Sequence, residues 1–245
     1  MLKPTTRAVF FLATASIAAI TLGCKVNPTD PSLANSSAGR TCPGLEAMIA
    51  DCDDNNNQTN VAGGRGGYWY TFADTAGTEV WPTSGALGGT FEMSPGGAEN
   101  TPYGARFKGT VGVGSGPMQA GMGLNFLDPK GAYDASAYGG IAFWAKKGPG
   151  SVGKMRVKIP DETTDPDAGI CSECYNDYGM DITVTENWQR FILPFSKLKQ
   201  LEGWGKPRGF SVSRDAIFGI QFQVDQQGQA FDIWVDQIQF TGCPE

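Results

Sequence analysis

The last predicted strand of this chain, Ala230–Phe240, places the strongest constraint on the fold. Apolar residues occupy both of its alternating faces, so we expect it to lie inside a sheet that is covered on both sides. The strand also contains Asp236. Because a buried carboxylate is costly unless a cation or several hydrogen-bond donors meet it, the sequence predicts a polar or ionic centre at Asp236.

The first predicted strand, Leu45–Cys52, runs directly into further carboxylates at Asp51, Asp53 and Asp54. First and last strands often pair in antiparallel sandwiches, and such pairing would bring these groups close to Asp236. No arginine or lysine is nearby in the sequence, which suits a hard cation with oxygen ligands. We therefore expect a structural Ca²⁺ held by Asp51, Asp53 and Asp236. A set of solvated aspartates at strand ends is the alternative.

Turn residues recur between short apolar segments throughout the chain after Cys42, and 34 of the 245 residues are glycine. Long runs of helix-forming residues are missing. This pattern predicts one all-β domain over residues 42–245, either a sandwich or a barrel. The net charge of −6, with dispersed lysines, argues against a nucleic-acid partner, because phosphate binding needs a clustered basic surface.

The N-terminus has the pattern of an export signal. The apolar run 8–22 follows two basic residues, which is typical of a cleaved secretory signal over residues 1–23. Because Gly23-Cys24 resembles the end of a bacterial lipobox, we expect Cys24 to be acylated and to anchor the protein in a membrane. We expect this membrane to be the outer membrane, with the protein on its periplasmic or cell-surface side. Ordinary secretion is the alternative. Residues 24–41 are rich in Pro, Ser, Asn and Thr, which predicts a flexible tether.

Six cysteines in an exported chain permit disulfides. Cys42 precedes the first strand and Cys243 follows the last, so a bridge between them would join the two ends of the domain. Cys171 and Cys174 form a C-x-x-C pair. Since the chain has no histidine to complete a zinc site, we expect a local disulfide there. Cys52 would then remain unpaired and buried as a small apolar residue.

Three predicted strands alternate between an apolar side and a polar side: Gly139–Lys146, Lys154–Pro160 and Ala216–Val224. Among the residues on the polar sides, the candidates for contact with a ligand are Trp144, Arg156, Lys158, Gln221 and Gln223. An aromatic plane can stack on a pyranose ring while amides and a guanidinium bind its hydroxyls. The pattern therefore predicts a sugar-binding face. The alternative is that a loop covers Trp144 and that the cations are solvated.

A long acidic loop, residues 161–169, follows the strand that carries Arg156 and Lys158, and it leads to Tyr175 and Tyr178. Long loops pinned beside an open sheet often form the walls of binding sites. We therefore expect both tyrosines to border the sugar-binding face. A second calcium loop and a solvated loop are the alternatives.

Four segments together resemble a known family: Tyr138–Lys146, Met155–Ile159, Asn187–Phe195 and Ile233–Ile238. They are similar to the galactose-binding-like jelly rolls that include the family 11 carbohydrate-binding modules, and the resemblance spans nearly all of residues 45–240. It implies a two-sheet antiparallel jelly-roll β-sandwich, a structural calcium near the first and last strands, and a glycan groove on the concave sheet.

The resemblance also implies roles for individual residues. The first strand of such modules commonly ends Asp-Phe-Glu, so Asp53 would replace the glutamate with a shorter ligand arm, and Cys52 would replace the core aromatic residue. Asp236 matches the acidic position of the family's last strand. Trp204 would add an aromatic side chain to the groove.

The favoured function is a membrane-anchored, non-catalytic lipoprotein that binds a polysaccharide or an oligosaccharide. A polysaccharide-cleaving enzyme is a weaker hypothesis, because the chain lacks histidine and few of its nine glutamates, Glu92 among them, lie in predicted strands. The third hypothesis is an adhesion or assembly module, which would need an exposed apolar patch instead of a polar groove.

Overall fold

The computed structural model describes residues 27–75, 77–84 and 91–243. Over these ranges the chain forms short β-strands and 3-10 helices, without an α-helix. The strands are β1 Met48–Ala50, β2 Trp69–Ala73, β3 Glu79–Trp81, β4 Ser94–Pro95, β5 Tyr103–Thr110, β6 Ala120–Asn125, β7 Gly140–Lys147, β8 Lys154–Ile159, β9 Tyr178–Thr183, β10 Gln189–Pro194, β11 Gly219–Val224 and β12 Ala230–Thr241. The 3-10 helices are Pro31–Asn35, Ala98–Asn100, Pro166–Ala168, Phe195–Lys197 and Arg214–Ala216.

The strands form two antiparallel sheets. Sheet I has the order β10-β7-β12-β5-β3, with β1 also paired to β12 and β4 to β5. Sheet II has the order β2-β6-β11-β8-β9. The predicted two-sheet antiparallel β-sandwich is therefore confirmed.

The two sheets pack through apolar side chains that alternate with outward polar ones. The Phe143 ring of sheet I meets the Phe222 ring of sheet II edge-on, with 5.3 Å between ring centroids. Near the end of the sandwich the rings of Phe126 and Phe240 are 5.7 Å apart. These side chains belong to one continuous buried cluster. Burial of this cluster from water is the main force that holds the sheets together.

Strand β12 contains a β-bulge that changes which side chains face the core. Its pairing with β7 shifts register between Asp236 and Gln239, and Gln237 has a φ of 47°. Val235 before the bulge and Ile238 after it are therefore both in the core. The expectation that both faces of this strand are covered is wrong at Trp234, which is half-buried on the outward side. The extra residue of the bulge, and not a second covering layer, explains why apolar residues occur at both odd and even positions of this strand.

The first and last strands pair as predicted, with Met48 opposite Gln239. A disulfide joins Cys42 and Cys243, whose Cα atoms are 5.6 Å apart, and a second one joins Cys171 and Cys174. Both predicted disulfides are present. Cys52 is a buried free thiol, also as predicted, and burial raises its pKa.

Residues 27–41 differ from the flexible tether that their composition predicts. Asp30 caps the 3-10 helix Pro31–Asn35 by accepting from the Ser32 backbone N–H. The Ile192 N–H of β10 donates to the Pro28 carbonyl at 2.8 Å. The prediction is wrong for this segment because its backbone polar groups bond to the domain instead of to water. Cys24 lies outside the described residues.

None of the helices in the described part of the chain is long and apolar enough to cross a membrane.

Candidate functional site

The outward face of sheet II, which we call the sheet II face, carries two rows of residues that cross its five strands. The first row, in order from β2 to β9, is Tyr70, Gly123, Gln221, Lys158 and Gly179. The second row is Phe72, Gly121, Gln223, Arg156 and Asp181. Aromatic rings therefore lie at the β2 side of the face, amides at its centre and charged groups at the β8–β9 side.

Two glycines of β6 make room for the aromatic rings. A Cβ atom at Gly123 would lie 2.8 Å from Cζ of Tyr70, and one at Gly121 would collide with the Phe72 ring. The two rings therefore extend from β2 over the surface of β6, with 6.2 Å between their centroids. Both are half-buried, so each keeps part of its surface exposed to solvent. This arrangement forms an aromatic platform on the sheet.

The centre of the face is fixed by hydrogen bonds. The Gln221 Nε2 atom donates to the Tyr70 hydroxyl at 2.9 Å. Burial is the largest cause of the raised pKa of that hydroxyl, which therefore remains protonated at neutral pH. The Lys158 ammonium lies 2.8 Å from Asp177 Oδ2 and donates to Gln223 Oε1 at 3.2 Å. The side chains of Lys158 and Asp177 are only 8% and 2% exposed, so this is a buried ion pair.

The β9 side of the face is more open. The Arg156 guanidinium donates to Asp181 Oδ1 at 3.1 Å and to the Lys199 carbonyl. The Arg156 side chain also covers Gly179, where a Cβ would lie 3.1 Å from its Nε. The Asp181 side chain is 46% exposed. Charged hydrogen-bonding groups therefore remain accessible at this side.

Two loops border the face beyond β9: the loop 160–177 before β9 and the loop 195–218 before β11. Hydrogen bonds from Asn176 join the first loop to the second. The Asn176 amide donates to the carbonyls of Leu201 at 2.9 Å and Trp204 at 2.7 Å. Its oxygen accepts from the Leu201 N–H at 2.9 Å. Tyr175 is 61% exposed and Trp204 is 42% exposed on these loops. Both aromatic side chains are thus available to a ligand at this edge of sheet II.

The structure brings together four of the five residues predicted from strand alternation: Arg156, Lys158, Gln221 and Gln223. Trp144 does not join them, because β7 belongs to sheet I and the Trp144 side chain is on the opposite outer side of the sandwich. The prediction of one shared face is wrong for Trp144, because alternation shows which side of a strand is polar but not which sheet contains the strand.

Tyr178 is also placed differently from the prediction. It pairs with Ile159 in β9, is 1% exposed and packs in the hydrophobic core. Tyr178 therefore cannot border a ligand on the sheet II face.

The aromatic platform and the two carboxylates of the face, Asp177 and Asp181, were not predicted from the sequence. Tyr70 and Phe72 alternate with the core residues Trp69 and Thr71, which is the same signal that was used for the other strands. Glycines at every second position of β6 face that polar side. Together these two patterns indicate aromatic rings that lie over a flat sheet surface.

The carboxylate of Asp236 is buried beneath the loop 96–102, on the outward side of sheet I. Its Oδ2 accepts from the Ala98 N–H at 2.7 Å and the Thr101 hydroxyl at 2.9 Å, and its Oδ1 accepts from the Gln237 N–H at 2.7 Å. Burial raises the pKa of Asp236 to about 6, and the charge of Asp53 contributes to the rise. The expectation of several hydrogen-bond donors around this carboxylate is confirmed.

The predicted set of three metal-binding carboxylates does not form. Asp51 accepts from the Asn60 amide at 2.9 Å, and no group of three or more acidic, cysteine or histidine side chains in the described ranges is close enough to hold a metal. The Asp53 Oδ1 atom is buried without a hydrogen-bond partner. An unpartnered oxygen close to a second buried carboxylate fits a cation that completes its shell with backbone oxygens or water.

Comparisons with known proteins agree with this architecture. Residues 70–242 match the family model described as carbohydrate binding domain 30. No curated protein matches the chain.

Three solved structures from Clostridium thermocellum are similar to this chain in fold. A family 11 carbohydrate-binding module in complex with a β-1,3-1,4-mixed-linked tetrasaccharide is 19% identical, with a TM-score of 0.56 over 81% of this chain and 96% of that chain. The family 11 module of a cellulosomal cellulase is 18% identical, with a TM-score of 0.56 over 84% and 98%. The family 30 module of another cellulosomal cellulase is 16% identical, with a TM-score of 0.52 over 81% and 98%. These matches confirm the jelly-roll β-sandwich.

The two ion pairs of the sheet II face give a matched test of burial. Asp177→Asn leaves the Lys158 ammonium buried without its anion, so we expect the free energy of unfolding to fall by about 3–5 kcal/mol. Asp181→Asn removes the exposed partner of Arg156 and should cost only about 0–1 kcal/mol. Urea unfolding of both variants measures the difference. Equal losses in the two variants would contradict the placement of Lys158 and Asp177 in the interior.

Proposed function

Because the chain belongs to the carbohydrate binding domain 30 family, we propose that it binds a polysaccharide on the sheet II face without cleaving it. The observation that carries this proposal is the aromatic platform of Tyr70 and Phe72 over β6. Such rings stack on the apolar faces of sugar rings. The amides of Gln221 and Gln223 lie beside the platform, where they can bind sugar hydroxyls.

The charge balance of the face favours a neutral glycan. The Lys158 ammonium is paired with Asp177, and Arg156 and the exposed Lys154 share Asp181, so each cation of β8 on this face has a carboxylate partner. A solved family 11 module with the same fold was obtained with a β-1,3-1,4-mixed-linked tetrasaccharide. A mixed-linked β-glucan is therefore our first candidate ligand.

The same ion pairs favour binding over catalysis. Glycoside hydrolysis generally needs one carboxyl group that stays protonated as a general acid, beside a second carboxylate. Asp177 is buried in an ion pair with Lys158, and Asp181 is paired with Arg156, so both carboxylates of this face are held by cations instead of flanking an open glycan site. We therefore prefer the non-catalytic function to a polysaccharide-cleaving enzyme or an adhesion module.

We further propose that Asp53 and Asp236 bind a structural calcium ion. The unpartnered Asp53 Oδ1 and the buried Asp236 carboxylate supply oxygen ligands close to where the first and last strands pair. A divalent cation there would neutralise two carboxylates whose pKa values are raised chiefly by burial. Its role would be to stabilise the joined ends of the domain.

We propose, finally, that an acylated Cys24 anchors the protein in the outer membrane. The sequence Gly23-Cys24 after the apolar run 8–22 supports this proposal. Lipidation would hold the glycan-binding domain at the membrane surface, on its periplasmic or cell-surface side.

The platform is tested by Phe72→Ala. Loss of one stacked ring should cost about 1–1.5 kcal/mol of binding energy, which is roughly a tenfold loss of affinity for a mixed-linked β-glucan tetrasaccharide in calorimetry. The matched control is Trp188→Ala, which removes a half-buried ring from the outer side of sheet I and should leave this affinity unchanged. A folded Phe72→Ala protein with full affinity would refute the site.

Chelation tests the calcium proposal. A cation that binds only the folded state stabilises it by mass action, by about 2.7 kcal/mol at 100 times its dissociation constant. Excess chelator should therefore lower the melting temperature by several degrees, and Asp53→Asn should abolish the effect. Unchanged melting in chelator, together with no metal in elemental analysis, contradicts the proposal.

Mass spectrometry of the mature N-terminus tests the anchor. The expected result is a first residue Cys24 that carries acyl chains, and a Cys24→Ser variant should remain unprocessed. An unmodified cysteine, or cleavage at another residue, would show that the protein is secreted in the ordinary way.

A further inference from the structure

The outward face of sheet I concentrates the tryptophans of this protein. Four of its six tryptophans lie there: Trp81, Trp144, Trp188 and Trp234. Of the remaining two, Trp69 is in the core and Trp204 is on the loop beyond β9. We call this surface the sheet I face. It lies on the opposite side of the sandwich from the sheet II face.

Cations alternate with these indoles across the strands. Trp234 stands in register between Lys146 of β7 and Arg106 of β5. The Lys146 ammonium lies 4.7 Å from the ring centroid of Trp188 and 4.8 Å from that of Trp234. The Arg106 guanidinium lies 4.5 Å from the Trp234 centroid. The central row therefore reads tryptophan, lysine, tryptophan, arginine.

A second row, two residues along the strands from the first, crosses from Asp232 of β12 through Lys108 to Trp81 of β3 at the edge of the sheet. Lys108 stands opposite Trp81 in register, and its ammonium lies 4.9 Å from the Trp81 ring centroid. Trp81 is 39% exposed, whereas Trp188 and Trp234 are half-buried and meet edge-on at 6.5 Å. Indole surfaces and ammonium groups thus reach solvent together across the sheet from β10 to β3.

The charges of the sheet I face are not balanced as they are on the sheet II face. Arg106 forms a two-point ion pair with Asp232, at 2.8 and 2.7 Å. Within the described ranges Lys146 and Lys108 have no ion-pair partner. Burial is the main cause that lowers the pKa of Lys146, and Asp232 partly opposes it. Glu79 is also exposed on this side of β3, in register with Thr110 and two residues from Trp81. Two ammonium groups without an ion-pair partner therefore remain on one face of a chain whose net charge is −6.

An anion on a sugar would satisfy both features of this face. A carboxylate or sulfate can pair with Lys146 and Lys108, and the sugar ring that carries it can stack on Trp188 or Trp81. A neutral glycan would leave the two ammonium groups without a partner. A small anion without a sugar would not use the indole surfaces. The combination selects an acidic polysaccharide.

We propose that the sheet I face is a second glycan-binding site, and that it takes an acidic polysaccharide. The site is formed by the indoles of Trp81, Trp188 and Trp234 and the ammonium groups of Lys108 and Lys146. Trp144 lies two residues from Lys146 on the same side of β7, in register with Arg190 of β10, and extends the site along the strand. The protein would then bind a neutral glycan on one side and an acidic glycan on the other.

Binding to polygalacturonate tests the proposal directly, with dextran sulfate and neutral mixed-linked β-glucan as comparisons. Affinity electrophoresis or calorimetry at low salt should show binding to polygalacturonate. Trp188→Ala should weaken it about tenfold. Lys146→Gln should weaken it severalfold and reduce its dependence on salt. Phe72→Ala, on the sheet II face, should leave it unchanged while it weakens binding to neutral β-glucan, so failure of one site is distinguishable from failure of the other.

Several results would overturn the proposal. The first is that the protein binds neither acidic polymer. The second is that it binds them with affinities that neither Trp188→Ala nor Lys146→Gln changes, which would indicate adsorption by charge alone. The third is that Phe72→Ala abolishes this binding, which would assign it to the sheet II face. The last is a dimer in sedimentation that Trp188→Ala dissociates, since a second copy would then occupy the face. Melting curves show whether each variant is folded, and Lys146→Gln serves if Trp188→Ala is not.

Discussion

The pairing of β12 with three partners is the constraint on which the rest of the structure depends. Its first half hydrogen-bonds to β5, its second half to β1, and β7 runs along its other side. The bulge at Asp236 allows this change of partner, because the extra residue bends the strand and reverses its alternation. The same residue puts a carboxylate beneath the loop 96–102, where backbone donors meet it. The bulge therefore accounts for the strand order around β12, for the pairing of the first and last strands, and for the buried carboxylate of Asp236.

The two outer faces of the sandwich use aromatic residues in different ways. On sheet II, glycines of β6 lower the surface so that the rings of Tyr70 and Phe72 rest over the strand, and carboxylates neutralise the neighbouring cations. On sheet I, the aromatic side chains are larger indoles, and cations instead of glycines separate them. Ring size and charge balance thus distinguish two surfaces that share the same alternating strand pattern.

The sequence predicted local structure better than the arrangement of strands. The predicted strand Lys154–Pro160 differs from β8, Lys154–Ile159, by one residue, because alternation and flanking turn residues are local signals. The partition of strands between sheets is not local, so Trp144 was grouped with residues of the other sheet. The three-residue strand β3 has too few residues to show alternation. Asp177 and Asp181 were missed because their roles depend on side-chain partners, Lys158 and Arg156, that lie on another strand.

The packing of residues 27–41 against the domain limits how far the domain could lie from a lipid anchor at Cys24. Pro28 is held to β10 and Ala38 accepts from the Thr241 hydroxyl, so this segment adds no length to a connection with the membrane. With an anchor at Cys24, only the chain from Cys24 to Asn27 would remain as a spacer, and it spans at most about 10 Å. The domain would then stand almost against the lipid headgroups, with the β10 edge toward the bilayer. The two outer faces of the sandwich would stand upright from the surface, and each would be reached from the side, by chains that run along the membrane.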